Sequence, residues 1–162
     1  MKIKSLLTLI ISLLLINEIC FSQNQETYAK FIITESSING KDNTLYDISR
    51  SGYFVIYVSN KQIYFANVSK LNKDQSWGRV YKANVETFPE TETSYKRDKI
   101  SFTWNYTNSY DSKTGYATIV LDKIYKPQGI IFELGMILSN LDLLEYKGYM
   151  DGTINFENLL DQ

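Results

Sequence analysis

The 162-residue chain has no histidine, a single cysteine at Cys20, two prolines and no excess of basic charge. Each shortage closes a class of function. Without histidine there is no Ser-His-Asp triad and no imidazole ligand for a metal. With the one cysteine so near the start, the remainder of the chain has no disulfide, no thiol nucleophile and no zinc-thiolate site. Seventeen basic against 18 acidic residues give a net charge of −1, which points to neither nucleic acid nor an anionic membrane as a partner. Carboxylates, a serine-lysine pair or tyrosine are the catalytic groups left, and no motif selects among them. The expectation is a non-enzymatic protein without cofactor or metal.

What is present begins with an export signal. Lys2 and Lys4 form a basic start, residues 5–16 an uncharged apolar run, and residues 17–22 a polar exit with Cys20 and Ser22 as small side chains before a cut. The run of about 12 residues falls short of the roughly 20 that cross a bilayer as a helix, so no transmembrane anchor is expected in the mature chain. A lipoprotein signal needs a small residue just before the cysteine and an aliphatic one three before it. Ile19 and Asn17 stand there instead, which argues against lipidation at Cys20. The reading is a signal peptide over 1–22 and one β-rich domain over 23–162, exported by a bacterium to the periplasm or the exterior.

Most of that domain reads as strand. Residues 28–34, 53–59, 63–68, 79–87, 99–107 and 116–125 are rich in aromatic and β-branched side chains. Turn chemistry separates them: Asn39-Gly40, Ser51-Gly52, a tight turn at Asn60-Lys61-Gln62, Asn72-Lys73-Asp74, residues 111–115 and Pro127-Gln128-Gly129. The clearest period lies at Ile100, Phe102, Trp104 and Tyr106, alternating with Ser101, Thr103, Asn105 and Thr107, so one face is buried and the other wet. The strand after it is apolar on both parities and is expected to be covered on both faces. Residues 130–149 fit either a helical stripe or two strands around Ser139-Asn140, and the surrounding meander favours the hairpin. The fold class is all-β: an antiparallel meander of about eight strands, closed as a barrel or stacked as a sandwich.

Three stretches are candidates for chemistry. Residues 102–116 offer Trp104, Tyr106, Tyr110 and Tyr116 interleaved with amides and hydroxyls, a mixture suited to stacking on a sugar or another planar ligand. The plainer alternative places Phe102, Trp104 and Tyr106 in the core. Glu86, Glu90, Glu92 and Asp98 fall in a polar stretch that reads as a long connection between strands, with nothing to pair two of them for hydrolysis. Residues 151–157 imitate half of an EF-hand, but Lys147 would occupy a ligand position and repel calcium, so Asp151-Gly152 reads as a hairpin turn. Trp77-Gly78 reads as the start of a strand.

Ile33-Thr34 followed by Ile38-Asn39-Gly40-Lys41-Asp42 and Thr44, near the start of a secreted meander, resembles the opening of bacterial secreted lipocalin-like domains. That resemblance implies an eight-stranded barrel around a small apolar cavity. The Gly-x-Trp signature of lipocalins is absent from this region. The leading expectation is an exported domain that binds a small apolar ligand or a glycan. A structural or protein-interaction module of the cell envelope is the alternative, and a carboxylate-based hydrolase a remote one.

Overall fold

The computed structural model describes residues 26–59, 62–71 and 73–152. The signal segment with Cys20, Asn60-Lys61 of the expected tight turn, Asn72, and the tail 153–162 lie outside the described residues. Nine strands follow in order: β1 (Glu26–Ile38), β2 (Lys41–Asp42), β3 (Gly52–Ser59), β4 (Gln62–Ser69), β5 (Asp74–Phe88), β6 (Arg97–Asn108), β7 (Thr114–Lys126), β8 (Gly129–Leu138) and β9 (Leu143–Gly152). Among the described residues one short helix, α1 (Thr44–Ser49), stands between β2 and β3.

Every pairing is antiparallel, and the order β1-β3-β4-β5-β6-β7-β8-β9 returns to β1. Eight strands therefore form a closed barrel, with β2 as an extra strand against the end of β1. The closure joins Ala29 to Gly152 at one end of its ladder and Ile38 to Leu144 at the other. Closing a sheet removes the edges that an open meander leaves unpaired.

Strand alternation then sorts the side chains. Inward positions carry Phe31 on β1, Phe54 and Ile56 on β3, Phe65 on β4, Ile100, Phe102 and Trp104 on β6, and Ile119 and Leu121 on β7, all at most 3% exposed. The aromatic rings meet across the axis: Phe54 stacks on Phe65 at 5.4 Å, Tyr146 stands edge-on to Phe54 at 4.8 Å, and Trp104 edge-on to Phe65 at 5.0 Å. The indole N–H of Trp104 has no acceptor. Such a buried donor costs about 1–3 kcal/mol, which the surrounding burial of apolar surface must exceed. An apolar lumen and a charged outer wall reverse the polarity of a membrane-spanning barrel.

β1 pairs with β3 only through Ile32, so its second half diverges from that neighbour. The short helix fills the opening. The Ser36 hydroxyl donates to the Asp47 carboxylate at 2.6 Å, its N–H donates to Thr44 Oγ1 at 2.9 Å, and Thr44 returns a bond to the Ser36 carbonyl. Ser36 is accordingly buried, the one polar side chain in that class among the described residues.

The structure corrects several expectations from the sequence. Residues 130–149 do form a hairpin, β8 and β9, and the Asn39-Gly40 turn has both residues at positive φ, as a tight β1–β2 connection requires. The connection expected over residues 86–98 shrinks to 89–96, because Glu86 and Asp98 belong to β5 and β6. Their polarity marks strand ends, not a loop. Asp151-Gly152 is no hairpin turn; it ends β9, paired with Lys30 and Ala29. β7 is not covered on both faces, since Tyr116 and Thr118 point outward and stay exposed. Trp77 does not begin a strand but sits inside β5.

Closure brings backbones into tight contact at Gly148. A Cβ there would fall 1.9 Å from the Ile32 carbonyl oxygen, whereas at Gly135 it would meet nothing within 4 Å. Gly148→Ala is expected to lower the unfolding free energy by about 1–3 kcal/mol, and Gly135→Ala to leave it unchanged or slightly raised. Urea titrations of both variants check this; equal midpoints would contradict the seam geometry.

Candidate ligand-binding groove

The hairpin registers decide which side chains meet on the outer wall. One row runs Tyr57, Tyr64, Arg79, Asn105, Tyr116 from β3 to β7, each the direct partner of the next. The row beside it, nearer the α1 end, contains Trp77, Thr107 and Thr114. Together Trp77, Asn105, Thr107, Thr114 and Tyr116 line an open groove of about 480 Å³, floored by Gly78 and Gly115. Trp77 is 46% and Tyr116 58% exposed, and they stand on strands two apart, about 10 Å, with β6 between them.

Both glycines are there for sterics. A Cβ on Gly115 would lie 2.6 Å from the Tyr106 ring, and one on Gly78 would strike the Asn105 backbone. The Tyr106 ring thus covers bare backbone on the inside and supports the groove floor from behind. Burial, and then the nearby Tyr110 and Asp111, push its phenol above the usual range.

The four aromatic residues singled out in the sequence separate accordingly. Trp104 is 2% exposed and part of the core, where it tilts against Tyr106 at 4.5 Å. Tyr106 is partly buried against that core, and its residue contributes to the groove floor. Tyr110 is exposed in the β6–β7 turn, accepts a bond from Asn108 Nδ2 at 3.1 Å, and lines a different, polar recess of about 210 Å³ beside α1 with Asp47, Arg50 and Asp74. Only Tyr116 reaches the groove with its ring outward. Trp77, its counterpart, carried no signal as a site in the sequence, because what gives it a role is the β5–β6–β7 register.

A larger groove, about 740 Å³, lies around the wall where β7, β8, β9 and β1 pass Gly135. A row of direct partners runs along this wall, Glu86, Lys99, Asp122, Glu133, Lys147, Glu35, and its last four members line the groove. Opposite charges meet along it, Lys99 with Glu86 at 3.0 Å, Arg97 with Asp122 at 3.8 Å and Lys147 with Glu35 at 3.1 Å. The Lys99 bond holds Glu86 below the usual carboxylate range. Tyr146 borders this groove but turns its ring inward onto Phe54, and the ion pairs here are ordinary cross-strand pairing. Size alone does not make it the better site.

The acids proposed for hydrolysis do not converge. Glu86 faces outward to Lys99, while Asp98, one register step over, accepts from Thr87 at 3.0 Å and from the Tyr125 hydroxyl at 2.6 Å on the other side of the wall. Glu90 and Glu92 sit in the exposed connection. Among the described residues no group of three or more acidic side chains is placed to hold a metal ion. Comparison with protein-family models, curated proteins and solved structures finds no match.

Among the described residues, Asp122 is the one carboxylate whose pKa is raised overall, by burial acting against the opposing pull of Arg97 and Lys99. Its Oδ1 is enclosed and lies beyond hydrogen-bond reach of any donor. A carboxylate with a raised folded-state pKa weakens the fold above that pKa, and the penalty disappears as pH falls through it toward 3.8. Asp122→Asn is therefore expected to raise the urea midpoint at about pH 7 and to match the parent protein at about pH 3. A variant less stable at neutral pH would show that the Arg97 pair outweighs desolvation.

Proposed function

We propose that this protein is an exported, non-enzymatic domain that binds a glycan on the outer wall of its barrel, in the groove between Trp77 and Tyr116. The observation that carries the reading is the pairing of two exposed aromatic rings across a strand that presents Asn105 and Thr107 between them. Ring faces stack on the C–H faces of a sugar, while amide and hydroxyl groups bond its rim. The groove is open to solvent and lined by polar as well as aromatic side chains, which suits a sugar better than a compact apolar molecule.

Packing argues for the glycan over the small apolar ligand. A calyx needs space along the axis, and here Phe31, Phe54, Phe65 and Trp104 meet there at ring-contact distances. Kinship with lipocalin-like domains remains part of the proposal, supported by the eight-stranded meander, with recognition moved from the lumen to the wall. The alternative, an envelope interaction module, draws on Leu45, Leu71 and Leu141, each at least 70% exposed at the α1 end. It lacks an open strand edge among β1 and β3 to β9.

Stacking of this kind contributes about 0.5–1.5 kcal/mol per ring beyond the area it buries. Trp77→Ala and Tyr116→Ala are each expected to weaken binding of an oligosaccharide about tenfold, with Tyr110→Ala as an inert control. Calorimetric titration of a panel of neutral and acidic oligosaccharides checks this. Tight binding that survives both substitutions would remove the groove from consideration.

A further inference from the structure

We infer that the saccharide taken by this groove is acidic, a chain containing uronic acid residues, and that Arg79 receives its carboxylate. The inference rests on the glycan reading and narrows it. Its basis is the distribution of charge. The wall bounded by Tyr64, Trp77, Tyr81 and Tyr116 presents aromatic, hydroxyl and amide side chains and no carboxylate, and Arg79 is the single charged residue within it.

The chain has three arginines. Arg50 pairs with Asp74 at 3.5 Å and Arg97 with Asp122 at 3.8 Å, whereas among the described residues no carboxylate pairs with Arg79. On the opposite wall, the row from Glu86 to Glu35 sets Lys99 beside Glu86 and Lys147 beside Glu35, each within 3.1 Å of its acid. Among the three arginines, Arg79 is therefore the one that the described residues leave facing an uncharged aromatic field instead of a carboxylate. Arginine is also among the residues that concentrate at the energetic centres of binding surfaces.

Geometry supplies the rest. The Arg79 guanidinium rests over the Tyr81 ring, 5.1 Å from its centroid, which orients the planar fork while leaving its edge N–H donors free. Such a fork accepts a carboxylate through two parallel hydrogen bonds. Trp77, Arg79 and Tyr81 alternate on one face of β5 at a spacing of about 6.7 Å. A saccharide lying along that strand meets a ring, a cation and a ring in turn. Asn105, the direct partner of Arg79, lies between this line and Tyr116.

The test uses the purified protein with oligomers of galacturonate, of alginate uronates and of hyaluronan, each beside its methyl-esterified form, which keeps the ring and removes the charge. The acid form is expected to bind about tenfold or more tightly than its ester for at least one of these. Arg79→Gln should erase that preference, Arg79→Lys should retain part of it, and added salt should weaken only the acid. Equal affinity for acid and ester, or a preference unchanged in Arg79→Gln, overturns the acidic assignment and leaves the glycan reading standing. A sulfated oligosaccharide preferred over every uronate overturns the carboxylate in the same way. Absence of binding by all of them, or binding insensitive to Trp77→Ala, overturns the groove itself and this inference with it.

Discussion

Pairing β9 with β1 is the constraint on which the rest of this structure depends. A meander of this length left open would expose two rows of unpaired backbone groups and one apolar face. Closure pairs the backbone from Ala29 to Ile38 with Gly152 to Leu144 and wraps the apolar face around Phe54, Phe65 and Trp104. The bare backbone of Gly148 against the Ile32 carbonyl allows the two strands to meet there. Once the circle is closed, parity has no freedom left. Trp104 must point in and Asn105 out, and the same rule sends Trp77 and Tyr116 to the outer face, one on each side of β6. The groove is a consequence of register, not of a loop.

Closure also divides the outer wall into two kinds of surface. From β6 through β1 the wall carries a ladder of opposed charges. Exposed pairs of that sort add little to stability, about 0–1 kcal/mol each, but they leave few charges there unanswered. From β3 to β7 the wall is aromatic, with Tyr57 stacked on Tyr64 at 5.1 Å and, beside them, Arg79 with no carboxylate partner among the described residues. Surfaces that bind other molecules are depleted in acidic residues and lysine and enriched in tyrosine, tryptophan and arginine. The contrast within one barrel distinguishes the two grooves better than their volumes do.

The sequence made the strands legible wherever one face was apolar. The alternation from Ile100 to Tyr106 and the β8–β9 hairpin could be read because local pattern and turn chemistry agreed. Strand ends were lost where both faces are polar: Glu86 and Asp98 look like loop residues until Lys99 and Tyr125 are seen to pair with them. Helix α1 was missed because six residues with no apolar stripe carry no period, and its place is fixed by Ser36 bonding to Asp47. Of the two rings that flank the groove, Tyr116 stood out in the sequence as a candidate and Trp77 did not. Trp77 lies about 40 residues from Tyr116 in the chain, and only the paired registers of β5, β6 and β7 bring them to one groove.

The central claim is that recognition takes place on the outer wall and not in the lumen or at the α1 end. Chemical-shift mapping of the backbone amides during titration with an acidic oligosaccharide tests it most directly. The account predicts saturable shifts centred on Trp77, Arg79, Asn105, Thr107 and Tyr116. Shifts centred on the inward residues Phe31, Phe54 and Phe65, or on the exposed tips at Leu45, Leu71 and Leu141, would contradict it.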